Sequence, residues 1–257
     1  MSRKRVLSID VSTGTYDSFI ERIAALALGR VSSYVCVANV HMVVEAVADS
    51  SFAAVVNNAD LVTPDGMPLS KTMALLHRVE QERVAGMDLL PDLLAAANAN
   101  GLSVFLFGST ETVLEAITKR AAQEFSGLTI SGAYSPPFRV IAPEEAAEDV
   151  DRINESGAHM VLVALGCPKQ ERWMAANKGR VNAVMVGIGG AFPVYAGLQS
   201  RAPKLMQRLY LEWFYRLCQE PRRLFKRYLI TNTVFLFLIF KELVCNRVLF
   251  RSVVRGS

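Results

Sequence analysis

The sequence predicts an α/β protein: a mostly parallel sheet with helices on both faces, followed by a C-terminal helical appendage. Three observations carry this. Short apolar runs alternate with stretches of helical periodicity along the first 200 residues. The run Met160 to Leu165 is uninterruptedly apolar, as in strands covered on both faces. Charge is also divided unevenly: residues 1–200 hold 16 Lys/Arg against 21 Asp/Glu, whereas residues 201–257 hold 12 against 3. That break sets the expected units at 1–199 and 200–257, with the basic unit facing an anionic surface.

With 257 residues, 51% of them hydrophobic, the chain has ample material for a core and is not disordered. Cys36, Cys167, Cys218 and Cys245 lie far apart, as do His41, His77 and His159, so neither a disulfide framework nor a zinc site is indicated. Met1 to Arg5 has the basic flavour of a signal peptide, but Asp10 cuts the following apolar run short. A cytoplasmic protein with reduced thiols is expected.

Taken in order, Phe19, Ile23 and Ala27 mark a helix after Asp17 that stops at Gly29. Tyr34 to Ala38 is a β-branched strand ending at Asn39. Val40, Val43, Val44 and Val47 form a helix face, and a second short helix leads into a strand that ends at Pro64-Asp65-Gly66. A helix runs from Pro68 to about His77, then a polar loop through Arg83, Gly86 and Asp88. Pro91 suits the first turn of the next helix, which Gly101 closes.

Leu102 to Phe107 is a strand, Gly108-Ser109-Thr110 a turn, and Glu111 to Phe125 a helix. Leu128 to Tyr134 is a strand ended by Pro136-Pro137, and Pro143 to Ser156 an acidic helix. Met160 to Leu165 runs into Gly166-Cys167-Pro168-Lys169-Gln170, and Val181 to Val186 into Gly187-Ile188-Gly189-Gly190. Asn39, Asp65, Gly108-Ser109, Gly166 to Gln170 and Gly187 to Gly190 each follow a strand directly. In a parallel sheet those ends share the edge where open α/β folds bind ligands, so five loops should line one pocket.

Glycine turns before helix N-termini suit a phosphate, and a nucleotide is the natural ligand. Gly187-x-Gly189 is only half a dinucleotide fingerprint, since Phe192 holds the third-glycine place and Gln207 the acidic one. Asp149 and Asp151 spell a metal-binding pair but fall in a helical pattern, which reads as a solvated surface. His159 reads as structural, and His41 is a ligand candidate. Asp65 is either a proton acceptor or simply the turn former and N-cap of the following helix.

Thr63-Pro64-Asp65-Gly66, Arg83-Val84-Ala85-Gly86-x-Asp88, Gly166-x-Pro168-Lys169-Gln170-Glu171 with Trp173-Met174, and Arg201-Ala202-Pro203 through Glu212-Trp213 to Glu220-Pro221-Arg222-Arg223 stand in one order. As an ordered set, from about Asn39 to about Tyr228, they resemble the WecG/TagA/CpsF glycosyltransferase family. The resemblance implies a Rossmann-like body and a metal-independent, cofactor-free, inverting transferase. It would move a hexose from a UDP-sugar to an undecaprenyl-diphosphate-linked sugar in surface polysaccharide assembly, at the cytoplasmic face of the inner membrane.

On the same basis Asp65 is the general base, and the appendage closes over the site and touches the membrane, with Arg222 and Arg223 assisting the diphosphate. The expected binding residues are Asn39, Arg83, Asp88, Gly108, Ser109, Gly166, Lys169, Gln170, Gly187, Gly189 and Gly190. Two departures stand out. Val37 replaces a threonine common in the family, and Pro193 replaces an acidic residue, so UDP-glucose stands beside UDP-N-acetylmannosamine as donor.

In the tail, Leu205, Leu209 and Trp213 recur every fourth residue, and Arg208 and Glu212 read as an i,i+4 surface pair. The cluster Arg222, Arg223, Lys226, Arg227 precedes the apolar run Val234 to Phe240, which is too short to span a bilayer and reads as an interfacial segment. The rival readings are a non-catalytic, membrane-tethered nucleotide-binding protein, and nucleic-acid binding by the tail, which the apolar run argues against.

Overall fold

The computed structural model describes residues 1–139 and 143–255, with the side chains of Pro143, Arg208 and residues 246–255 left out. Six parallel strands form one sheet: β3 (Ser33–Ala38), β4 (Leu61–Pro64), β5 (Ser103–Gly108), β6 (Thr129–Tyr134), β7 (Met160–Ala164) and β8 (Val184–Gly187). Their spatial order is β4-β3-β8-β7-β5-β6. Every residue of β3 and β8 is buried, because both lie inside the sheet with helices over each face. The expected α/β class and its Rossmann-like architecture hold.

The first core layer packs α2 (Val40–Ala48), α3 (Ser50–Asn57) and α8 (Lys169–Asn177) on one face through Met42, Phe52 and Met174. The second packs α1 (Tyr16–Leu28), α5 (Gly86–Ala99) and α6 (Glu111–Glu124) on the other through Phe19, Leu90 and Ile117. Burial of such side chains contributes about 1.5–3 kcal/mol each. Thr15 and Thr110 cap α1 and α6 by accepting from the backbone N–H of Ser18 and Val113.

The sequence pattern did not announce the N-terminal hairpin of β1 (Arg3–Val6) and β2 (Ile9–Ser12). It covers the free edge of β4, where the Ser12 hydroxyl accepts from Val62 N–H at 3.1 Å. The Arg3 guanidinium donates to the carbonyls of Asn57, Ala59 and Asp60. Strands of four residues, Arg-Lys-Arg-Val and Ile-Asp-Val-Ser, are too short for a period to register.

Other elements differ from expectation. Helix α5 starts at Gly86, so Asp88 lies in its first turn, not in a loop, and Pro91 lies inside it. The N–H groups of Asp88 and Leu89 both turn back to the Ala85 carbonyl, which closes the first turn ahead of the proline. Asp149, expected on a solvated face, is buried on α7 (Pro143–Glu155), where loss of water raises its carboxyl pKa; Asp151 is exposed. His159 is structural, as expected: its ring meets the Ser103 hydroxyl at 2.8 Å.

The short helix α9 (Phe192–Tyr195) precedes the tail, which among the described residues is three helices, α10 (Lys204–Arg208), α11 (Glu212–Gln219) and α12 (Pro221–Arg255). Tyr210, at φ 61°, breaks the expected continuous repeat. The expected Arg208–Glu212 pair falls partly outside the described residues, because the Arg208 side chain is among them no longer, and Glu212 pairs elsewhere. Helix α12 lies along α2 and inserts Phe235 and Ile239 into the core layer there. The apolar run alone is short, but as one helix Pro221–Cys245 provides 25 residues, enough by length and composition to cross a membrane.

Candidate active site

A cavity of about 590 Å³ opens over the C-terminal ends of β4, β3, β8 and β7 and is roofed by α11 and α12. The sequence order β4-Asp65-Gly66-α4 builds its acidic wall, with α4 spanning Met67–His77. Gly66 turns at φ +96°, which a side chain would strain, and the Asp65 N–H bonds the Ala38 carbonyl at 2.7 Å. The N-cap of α4 is Gly66 and receives no side-chain bond, so Asp65 is not the helix cap. Its carboxylate is left to the cavity.

Asn39 caps α2 by accepting from Met42 N–H at 3.2 Å and also hydrogen-bonds Asp65. Burial pushes the Asp65 pKa up to about 6, opposed by the guanidinium groups of Arg83 and Arg216 and reinforced by Glu212. A carboxylate with a pKa near working pH is suited to take and return protons. The imidazole of His41, also in the wall, has its pKa lowered by burial and by Arg227.

Arg83 is held from two sides. It pairs with Asp88 at 2.8 Å, and with Glu212 of α11 in a close ion pair. Arg201 bonds Asp88 in turn. These four residues tie the body to the appendage. Gly190 admits another cation: a Cβ there would sit 2.8 Å from the Arg216 guanidinium. Arg223 and Arg227 of α12 also face the cavity.

Asn39, Asp65, Arg83, Gly166, Gln170, Gly187, Gly189, Gly190 and Arg223 line one cavity, so four of the five expected strand-end loops converge there and the Gly108-Ser109 loop does not. Five expected site residues stand outside the lining: Asp88, Gly108, Ser109, Lys169 and Arg222. Asp88 reaches the site only through Arg83. The crossovers from β5 and β7 diverge, but the crevice between them is shut: Ser109 N–H bonds the Ala164 carbonyl at 2.9 Å, and Gly108 lies against that same oxygen.

Lys169 is exposed on the outer side of α8, whereas Gln170 turns inward, accepting from Gly166 N–H at 3.2 Å and donating to Glu171 at 2.7 Å. Gly187 and Gly189 leave room for that amide. Arg222 misses the cavity because Arg223 and Arg227, four apart, already define the inward face of α12. Val37 lines the wall, but Pro193 does not, so only the first of the two departures lies beside the cavity.

Sequence reasoning missed Glu212 and Arg216 as site residues. Glu212 reads as the surface partner of Arg208, and only the cavity shows that α11 turns this face inward. Glu212→Ala is expected to cost about 1 kcal/mol by removing one of the two carboxylates that hold the half-buried Arg83. It should also raise amide hydrogen exchange across α11 by roughly tenfold, while exchange in β3 and β8 stays unchanged.

A carboxylate at a strand end of a parallel sheet, sharing its cavity with several arginines, suits group transfer. The model of the glycosyl transferase WecG/TagA/CpsF family matches residues 4–248, so the chain belongs to that family and is a glycosyltransferase. The match is wider than the blocks that first carried the resemblance. The chain is 32% identical over 225 residues to a Bacillus spizizenii protein, covering 87% of this chain and 86% of the relative. The relative's name is N-acetylglucosaminyldiphosphoundecaprenol N-acetyl-beta-D-mannosaminyltransferase. Proteins of the same name from Bacillus subtilis and Staphylococcus aureus are 30% and 28% identical, the first covering 87% of this chain and 86% of the relative, the second 85% of each.

Proposed function

We propose that the chain transfers a hexose from a UDP-sugar to a saccharide on undecaprenyl diphosphate, with inversion and without a metal, at the cytoplasmic face of the inner membrane. The observation that carries this is Asp65, which shares one cavity with Arg83, Arg216, Arg223 and Arg227 and whose ionised form is favoured by Arg83 and Arg216. Asp65 takes the proton of the acceptor hydroxyl as that oxygen attacks the anomeric carbon. The negative charge that grows on the departing diphosphate is met by the arginines, a stabilisation often worth more than any other in catalysis.

The relatives' names support a lipid diphosphate acceptor bearing N-acetylglucosamine and transfer of N-acetylmannosamine. Val37 in the cavity wall favours a second donor, UDP-glucose, because an apolar side chain offers no hydroxyl to an N-acetyl group. Residues 200–257 act as the appendage that completes the site and lies along the anionic membrane surface. Its apolar side chains Phe225, Leu229, Phe237 and Phe240 are exposed, while Phe235 and Ile239 stay against the body, which suits attachment to one leaflet.

The test is a panel of UDP-sugars with a short-chain lipid-diphosphate-N-acetylglucosamine acceptor, read by UDP release. UDP-N-acetylmannosamine or UDP-glucose should give turnover at least tenfold above the other donors. Acceptor-independent release alone would overturn the reading.

A further inference from the structure

One face of α12 changes character as it passes through the cavity. Arg223 and Arg227 come first, Thr231 and Asn232 next, then Phe235 and Leu236, all in the lining. At 1.5 Å per residue this face spans about 20 Å. Cation, neutral polar group and apolar surface follow one another at one-turn intervals along a single wall. Val40 of α2 and Met67 and Pro68 of α4 line the same cavity, and α2 packs along α12.

An amphiphile with a diphosphate head and a hydrocarbon chain has the same order of chemistry. We infer that the polyprenyl chain of the acceptor leaves the site along this limb of the cavity, between α12 and the start of α4, and emerges at Leu236. This rests on the lipid-linked acceptor of the proposed function. Two features favour the chain as occupant. The limb is continuous with the polar chamber that holds Asp65, so a ligand whose head is there must put its tail somewhere contiguous. Leu236 also lines the cavity while remaining 67% exposed, which places it at the mouth, and Phe240 continues the same helix face one turn further out, 66% exposed.

Leu236 and Phe237 make a controlled pair. They are adjacent and similarly exposed, at 67% and 64%, but only Leu236 lines the cavity. Initial rates of the full-length chain in detergent micelles are compared for two acceptors with the same diphosphate saccharide, one bearing a single isoprene unit and one bearing several. Leu236→Glu is expected to raise the ratio of long-chain to short-chain KM by about tenfold, the loss of one leucine's apolar contact. Phe237→Glu, which weakens only attachment to the micelle, should lower the rate with both acceptors and shift the ratio less than about twofold.

Equal shifts from both substitutions would mean that the stripe meets only the micelle or bilayer, and would overturn the inference. So would an unchanged ratio in Leu236→Glu. If the unsubstituted chain transfers to neither acceptor, the acceptor class itself is wrong and the proposed function falls with the inference. Transfer to both with no dependence on residue 236 sinks the inference alone.

Discussion

Asp65→Asn is expected to lower turnover by about two to four powers of ten while leaving UDP-sugar affinity nearly intact. The amide fills the same volume and can still meet Asn39, but it cannot hold the acceptor's proton. Turnover of the unsubstituted chain should rise with pH and level off above about 6, because only the ionised carboxylate is a base and burial has moved its pKa there. The substitution should erase that limb of the profile. Near-normal turnover in the variant would remove Asp65 from the role of base.

The same substitution should stabilise the fold. Asp65 titrates near 6 when folded and near 3.9 when unfolded, so between those values the native state binds more protons than the unfolded one. Stability from this group therefore falls as pH rises through that window, and the cost is fully present above about 6. Allowing for screening through the open cavity, it is on the order of 1–2 kcal/mol. At pH 7.5 Asp65→Asn should raise Tm by a few degrees, and at pH 4 the gain should vanish. A catalytic group held against its own solvation behaves this way.

Gly108→Ala is expected to destabilise the chain by about 3–5 kcal/mol, from backbone strain and overpacking together. The residue has φ +102°, and an added Cβ would lie 2.6 Å from the Ala164 carbonyl oxygen, which already accepts from Ser109. Neither neighbour can give way without separating β5 from β7. Thermal melting should show a fall in Tm on the order of 10 °C. Affinity for a UDP-sugar, measured per folded molecule at low temperature, should not change. A glycine that cradles phosphate would show the reverse, weak binding with little loss of stability.

That contrast shows what a sequence can convey about this protein. Strand ends announce themselves through Asn39, Asp65, Gly166 and Gly187, because a buried parallel strand is a dense apolar run and its loop is not. The order of strands across the sheet is written in no local pattern. Gly108-Ser109 has the same spelling as the other turns, yet β7 separates β5 from β8, and the crevice between β5 and β7 is closed. The ion pair of Arg83 with Glu212 joins residues 129 apart, so spacing cannot reveal it. Lys169 and Arg222 sit beside Gln170 and Arg223 in sequence, and helix geometry sends only the second of each pair inward.

The cations that share the cavity with Asp65 come from two sources: Arg83 belongs to the body, but Arg216, Arg223 and Arg227 belong to the segment with the exposed apolar stripe. A chain with α11 and α12 lifted away would keep its carboxylate and lose most of the positive field that makes a nucleoside diphosphate a good leaving group. Sugar donors meeting such a molecule away from the lipid would survive intact. On the proposed reading, protection of the donor from wasteful hydrolysis would follow from where the arginines are encoded.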